Sequence, residues 1–157
     1  MYGEVLAREY GNPERAKYHR LTVDAYAVQH PGTESPQSTQ SVAMHLCRLC
    51  LILEFGCSVE RANDAMLAIV KNERQFRWLE PPKSRGTVTV ANVHAAVTEA
   101  DHLRLVHEWA QSAWTAWSDH HGKIRQWLPG ELKGSRAGWG RALPSRLDRV
   151  PGEICRP

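Results

Sequence analysis

The fold of this chain is decided by the stretch Val23-Asp24-Ala25-Tyr26-Ala27-Val28-Gln29-His30-Pro31. It sets a carboxylate, a phenol, an amide and an imidazole among small apolar residues, and its proline predicts the end of a helix. At 100° per residue, Tyr26 and His30 share a helical stripe with His19, whereas Asp24 lies about 140° from His19. The stretch is therefore predicted to close a helix that starts near Pro13, with polar groups on more than one face.

Capping residues and apolar stripes mark the other helices. A short amphipathic helix fills residues 1–10. Ser35 and the proline after it predict a helix over 36–55, and its central run is apolar around most of the circumference, as in a buried helix. Ser58 caps the next helix, and the longest one is predicted from Glu99 to Leu128. These patterns predict an all-α fold, a compact bundle of about four main helices plus a short helix.

The rest of the chain is predicted to be less regular. Residues from about Pro81 to Val90 are expected to be extended, with Thr89 capping a short helix. Among the last 29 residues nine are Gly or Pro, and no helical period continues there. We therefore predict a helical domain over 1–128 and a flexible, basic, irregular tail over 129–157.

Length and composition suit one folded domain. The 157 residues are 42% hydrophobic and 24% charged, which excludes wholesale disorder. The net charge of +3 falls in the tail, with six Lys or Arg against three Asp or Glu. Residues 1–128 are then neutral, so we expect nucleic acid to bind weakly at most, through the tail. No apolar run approaches the ~20 residues of a membrane span and no signal peptide is evident, which predicts a cytoplasmic protein without a membrane partner.

Cysteines and tryptophans of the predicted helices are expected to be buried in the hydrophobic core. Cys47 and Cys50 have redox spacing, but they sit inside an apolar helical run, which favours buried, reduced thiols. Trp109, Trp117 and Trp127 share one stripe of the last helix, and Trp114 widens it on one side. Because few basic residues are interleaved with them, a core stripe is favoured over a platform for stacking bases.

Six polar side chains on three predicted helices form the candidate site: His19, Asp24, His30, His45, His120 and His121. Imidazole nitrogens and carboxylates bind Zn, Mn, Fe or Ni, and helical bundles build metal sites from inward side chains on facing helices. We expect a divalent transition metal with His19, His45 and His120 as first ligands. The other two histidines are reserve ligands, and Asp24 is the predicted catalytic residue, orienting a histidine.

Each of these side chains also has a structural interpretation. A buried imidazole can span a hydrogen bond that fixes helix packing, and no His-x-x-x-His pair supports a local metal motif. Asp24 can instead pair with Arg20 on an exposed helix surface. Two functions stay open: a metal-binding bundle acting as a hydrolase or transferase through metal-bound water, and a non-catalytic interaction module with structural histidines. The expected partner is a small molecule or a protein, including a second copy of the chain.

The segments with the clearest patterns are Tyr2 to Tyr10, His19 to Gly32, Ser41 to Leu51, Trp78 to Pro82 and Trp109 to His121. Together, with VDAYAVQHP at 23–31 as their signature, they resemble a bacterial family of small helical proteins of unknown function. The resemblance implies a helical fold over residues 2–128 and no particular activity. Family members carry a Cys-Pro-x-Cys-Gly type element ahead of the position of Tyr2, so a zinc knuckle of that kind is not expected among these residues.

Overall fold

An all-α fold is what the computed structural model shows over residues 1–71 and 76–128, the part of the chain that it describes. These residues form eight α-helices and one short 3-10 helix, with no strand among them. The helices are α1 (Tyr2–Tyr10), α2 (Pro13–Ala16), α3 (His19–Gln29), α4 (Pro36–Leu53), α5 (Val59–Lys71), α6 (Val90–His94), α7 (Glu99–Ala116) and α8 (His121–Trp127). The predicted all-α class is confirmed, and the predicted tail at 129–157 lies outside the described residues.

Three helices, α3, α4 and α7, pack against one another at the centre of the bundle. α4 is the helix whose sequence is apolar nearly all round, and Leu46, Leu49 and Leu51 on it are fully buried. Burial of these side chains stabilises the fold, because each buried leucine contributes roughly 2 kcal/mol of transfer free energy. The remaining helices therefore pack around this centre, with α5 and α8 contacting α4 and α6 contacting α7.

The tryptophan stripe of α7 belongs to the core, as its spacing predicts. Trp109 and Trp117 are at most 1% exposed, and a buried indole N–H needs an acceptor. The indole of Trp109 donates to Oε1 of Gln29 at 2.7 Å. The amide nitrogen of Gln29 donates in turn to the carbonyl oxygens of Arg85 and Val88, at 2.7 and 2.9 Å. Gln29 thereby ties α3 to α7 and to the loop that precedes α6.

The single helix predicted over 13–29 is two helices, separated by a short turn at residues 17 and 18. α2 stops at Ala16 and α3 starts at His19. Between them the backbone N–H of Tyr18 bonds to the carbonyl of Arg15, three residues back rather than four, which tightens the turn. A single helical period therefore does not run through this region, and α3 begins with His19, whose ring contacts α1.

The last predicted helix, over 99–128, is also split. α7 ends at Ala116, a 3-10 turn follows, and α8 turns back to pack on α4. The backbone N–H of Trp117 bonds to the carbonyl three residues earlier, which ends the α-helical ladder there. The prediction of one continuous helix over 99–128 is therefore wrong, because the chain turns a corner at His120 and His121, between the two helices.

The segment predicted to be extended between Pro81 and Val90 is an irregular loop laid on α7, and it ends at the predicted cap of α6. The backbone N–H groups of Thr87 and Val88 donate to Oγ of Ser112 at 2.8 and 3.1 Å. Gly86 has a φ of +98°, and a Cβ there would lie 2.7 Å from the same hydroxyl oxygen. Glycine is therefore what allows the loop to approach α7 so closely.

Three cysteines occupy the core, in line with the prediction. Cys47, Cys50 and Cys57 are buried and form no disulfide. Burial, reinforced by the nearby carboxylate of Glu54, raises the pKa of the Cys50 thiol, so this group stays protonated and unreactive at neutral pH. None of the helices in the described part of the chain is long and apolar enough to cross a membrane.

Candidate functional site

Asp24 is the polar centre of the contact between α3 and α4. Its side chain is fully buried, and Oδ1 lies 2.6 Å from Nδ1 of His45. Nε of Arg48 donates to both oxygens of the same carboxylate, at 3.0 and 2.8 Å. Nη1 of Arg48 donates to Oδ1 of Asn63 on α5 at 3.2 Å. The carboxylate can stay ionised in the core because its charge is paired and its lone pairs are used.

The proton on His45 can be placed from these contacts. An ionised carboxylate only accepts hydrogen bonds, so the 2.6 Å contact requires an N–H at Nδ1 of His45. The approach of Arg48 Nη2 to the same nitrogen, at 3.3 Å, is then not a hydrogen bond, because Nδ1 has no lone pair left. The neutral ring carries its lone pair on Nε2. The side chain is 18% exposed, and no group in the described part of the chain bonds to Nε2.

Glu9 forms a second carboxylate–histidine pair where α1, α3 and α7 meet. It is fully buried, and its Oε2 lies 3.0 Å from Nδ1 of His19. Its Oε1 accepts from Oγ1 of Thr22 at 2.5 Å and from Nε2 of His102 at 3.1 Å. Within residues 1–71 and 76–128 no Lys or Arg pairs with this carboxylate. Its negative charge is therefore stabilised by the imidazoles of His19 and His102, and not by a Lys or Arg side chain in that part of the chain.

The Glu9 pair extends to the protein surface through a phenol. The hydroxyl of Tyr10 lies 2.9 Å from Nε2 of His19, and the two ring centroids are 4.4 Å apart. Tyr10 is 73% exposed. A chain of hydrogen bonds thus runs from a buried carboxylate, through one imidazole, to an exposed hydroxyl.

Three stacked rings lie near both pairs and form an aromatic stack. The rings of Tyr2 and Tyr26 are 3.7 Å apart with planes 9° from parallel, and His30 stacks on Tyr26 at 4.2 Å. Burial, followed by the electrostatic effects of Tyr26, Glu9 and Asp24 among others, raises the pKa of the Tyr2 phenol. Tyr2 thus lies within electrostatic range of both carboxylates, and its hydroxyl is a hydrogen-bond donor at neutral pH.

His120 and His121 are bound to the framework at the corner between α7 and α8. Nε2 of His120 donates to the carbonyl of Glu80 at 2.8 Å. Nε2 of His121 donates to the carbonyl of Trp114 at 3.0 Å, and its ring stacks on the same tryptophan at 3.8 Å. In both rings the nitrogen with the backbone bond carries a proton, so each histidine fixes the corner.

The structure does not bring the predicted metal ligands together. His19 belongs to the Glu9 pair, His45 to the Asp24 pair and His120 to the α7–α8 corner. No three His, Cys, Asp or Glu side chains within residues 1–71 and 76–128 are grouped so as to hold a metal ion. Asp24 does lie against a histidine, and its cation is Arg48, not Arg20 as in the structural interpretation.

Glu9 and His102 take part in the site although the helical patterns do not single them out. Glu9 is four residues after the buried Val5, a spacing that places it on the apolar face of α1. His102 is four residues before the buried Val106 on α7. A charged or titratable residue that falls on an apolar stripe is the signal that could have identified both.

The fold and the site define a class, an all-α domain with two buried carboxylate–histidine pairs beside an aromatic stack. Residues 1–118 match the family of unknown function DUF5946, and the chain belongs to this family. The matched region includes both pairs and ends before His120. No curated protein and no solved structure matches the chain. Function therefore has to be argued from the site itself.

Proposed function

We propose that the protein is a hydrolase or group transferase in which His45 acts as general base and Asp24 holds its ring. The observation that carries this proposal is the 2.6 Å bond between Asp24 Oδ1 and His45 Nδ1, which leaves the Nε2 lone pair unused in a side chain that is 18% exposed. In Ser-His-Asp enzymes a buried carboxylate at Nδ1 fixes the tautomer, and Nε2 takes the proton. Here the two residues stand on packed helices, which hold that geometry more rigidly than loops would.

The surroundings of His45 narrow the substrate class. Within the described residues no side-chain hydroxyl or thiol bonds to Nε2, so the proton is taken from a water molecule or from a hydroxyl of the substrate. The positive charge of Arg48 is paired with the carboxylate of Asp24, and a neutral imidazole at His45 adds no charge. Asp24, Arg48 and a neutral His45 together carry no net charge, which favours a neutral small molecule such as an ester over an anionic substrate.

Metal binding at His45 is the second candidate. Histidines that bind metals commonly donate their other N–H to a carboxylate, as His45 does to Asp24. The described residues do not complete a set of three ligands, which is why acid–base chemistry ranks first. Elemental analysis of protein purified without chelator separates the two candidates. We expect less than ~0.1 equivalent of Zn, Mn, Fe or Ni, whereas a stoichiometric metal lost in His45→Gln would favour the second candidate.

We place this activity in the cytoplasm of a bacterium. Buried thiols that form no disulfide suit a reducing compartment. The resemblance of the motifs to a bacterial family supports the source. A small molecule is favoured over nucleic acid because residues 1–128 carry no net charge.

Hydrolysis of p-nitrophenyl acetate at neutral pH tests the proposal. In His45→Gln the steady-state rate above background should fall at least ~10-fold, because a positioned general base contributes roughly 10²–10⁴. Asp24→Asn should lower the rate too, since an amide no longer fixes the tautomer. His107→Gln, which removes an exposed histidine on α7, is the matched control and should stay near the wild-type rate. A folded His45→Gln protein with wild-type turnover would overturn the proposal.

A further inference from the structure

We propose that Tyr10 is a nucleophilic tyrosine, activated by His19 and Glu9, that accepts acyl groups from neutral activated esters. The inference uses none of the residues of the Asp24–His45 pair. Tyr10 Oη, His19 Nε2, His19 Nδ1 and Glu9 Oε2 are connected by contacts of 2.9 and 3.0 Å. A hydroxyl, a base within hydrogen-bond reach and a third group that orients the base are the arrangement that activates a nucleophile.

The protonation state of His102 determines which group balances the negative charge of Glu9. His102 is 1% exposed, and within the described residues its Nδ1 has no hydrogen-bond partner. A doubly protonated ring would leave a buried N–H at Nδ1 without an acceptor, which is costly in the core. His102 is therefore neutral, with its one proton on Nε2 and donated to Glu9. It supplies a hydrogen bond and no positive charge.

Among the described residues, His19 is then left to balance the carboxylate. When His19 takes the proton of Tyr10, the ring becomes an imidazolium and forms an ion pair with the buried Glu9. Before that transfer the carboxylate has hydrogen bonds but no cation. Because a buried charge is stabilised by pairing, Glu9 favours movement of the proton from the phenol to the imidazole.

The reaction follows from these positions. Tyr10 Oη attacks the ester carbonyl carbon and forms a C–O bond, while the bond from that carbon to the leaving alcohol breaks. The phenol proton passes to Nε2 of His19 and then to the leaving alkoxide, so the products are O-acyl-Tyr10 and an alcohol. The exposed phenol gives the ester access, and the carboxylate behind it disfavours anionic acyl donors.

Acetyl transfer from p-nitrophenyl acetate to the full-length protein, followed by peptide mass spectrometry, tests the inference. Tyr10 should be acetylated at least ~10-fold more slowly in His19→Ala and in Glu9→Gln, and added imidazole should restore the rate in His19→Ala. His94→Ala is the matched control, because this histidine also contacts α1, through Glu4, but lies outside the relay. It should leave acetylation of Tyr10 unchanged, and acetylation of Lys123, an exposed lysine on α8, serves as the internal reference.

Acetylation of the wild-type chain can also be compared between the folded state and the state unfolded in urea, and this test does not depend on the folding of a variant. Unfolding in urea exposes Tyr10 further, so exposure alone predicts faster acetylation in urea. Activation by the folded relay predicts slower acetylation in urea, after normalisation to Lys123. Equal or faster labelling of Tyr10 in the unfolded chain, or a His19→Ala rate equal to wild type, would overturn the inference.

Discussion

Asp24 and Glu9 are both fully buried, but their charges are balanced in different ways. Asp24 meets the guanidinium of Arg48, which cannot release its proton, so this carboxylate has a fixed positive partner. Glu9 meets two imidazoles and a hydroxyl, so the balance of its charge depends on where one proton lies. This contrast is why a fixed general base is assigned to one pair and a proton relay to the other.

Removing the Glu9 carboxylate should destabilise the fold strongly. In Glu9→Ala, Thr22 and His102 lose a buried acceptor, so we expect the free energy of unfolding to fall by roughly 3–5 kcal/mol. Urea denaturation measures it. Glu4→Ala changes an exposed carboxylate on the same helix and should leave the midpoint nearly unchanged. Similar midpoints for both variants would mean that Glu9 does not hold α1 to α3 and α7.

At the scale of helices, capping residues predict where helices begin, whereas tertiary contacts determine where the helices predicted over 13–29 and 99–128 are interrupted. Ser35 and Thr89 cap α4 and α6 as predicted, because an N-cap depends on the nearest residues alone. No Gly or Pro residue marks the interruptions at Tyr18 and Trp117. The ring of Tyr18 packs edge-on against His107, and the indole of Trp117 donates to a carbonyl of α3. Contacts of this range cannot be deduced from helical periodicity.

The same limit applies to the candidate site. Periodicity places His45 on the inner face of α4, and Asp24 was predicted to orient a histidine. Which histidine it meets depends on how α3 and α4 pack, so the pairing of these two residues could not be specified in advance. The fully buried Glu9 was outside the prediction, although its spacing from Val5 carried the signal.

Two glycines should respond in opposite directions to alanine. In Gly86→Ala a Cβ would meet the backbone and hydroxyl of Ser112 at 2.7–2.8 Å, at a φ of +98°, so the loop must move off α7. We expect a loss of more than ~1 kcal/mol. Gly122 is helical and has nothing within 4 Å, so Gly122→Ala should stabilise by roughly 0.5–1 kcal/mol. Thermal unfolding of both variants decides the point, and a neutral Gly86→Ala would contradict the packing of this loop.

At the scale of the whole molecule, an ion pair joins the end of α4 to α8 and predicts a pH dependence. Nε and Nη2 of Arg125 each lie 2.8 Å from an oxygen of Glu54. These hydrogen bonds hold the pKa of Glu54 below its ordinary value of 4.5. A depressed folded pKa adds stability above the unfolded value and loses it as the pH falls through the folded value.

Arg125→Ala should therefore change the acid side of the stability curve. Near pH 7 the variant should be less stable by under ~1 kcal/mol, because the pair is partly exposed. The difference from wild type should shrink as the pH falls below 4.5, once the carboxyl takes up its proton. Urea midpoints across that range measure the effect, and a difference that grows with acid would contradict the assigned pair.

Both carboxylate–histidine pairs stand on helices that pack against the core, with α7 supporting α3 and with Leu46, Leu49 and Leu51 of α4 buried. Long-range ¹H–¹⁵N spectra of the imidazole rings, recorded near about pH 8 where a histidine of ordinary pKa is neutral, test most directly whether Asp24 fixes His45. His45→Gln assigns the signal. We predict a proton on Nδ1 and a bare Nε2 in the wild type, and a mixture of tautomers in Asp24→Asn. A proton on Nε2, or a spectrum that Asp24→Asn leaves unchanged, would contradict the role of His45 as general base.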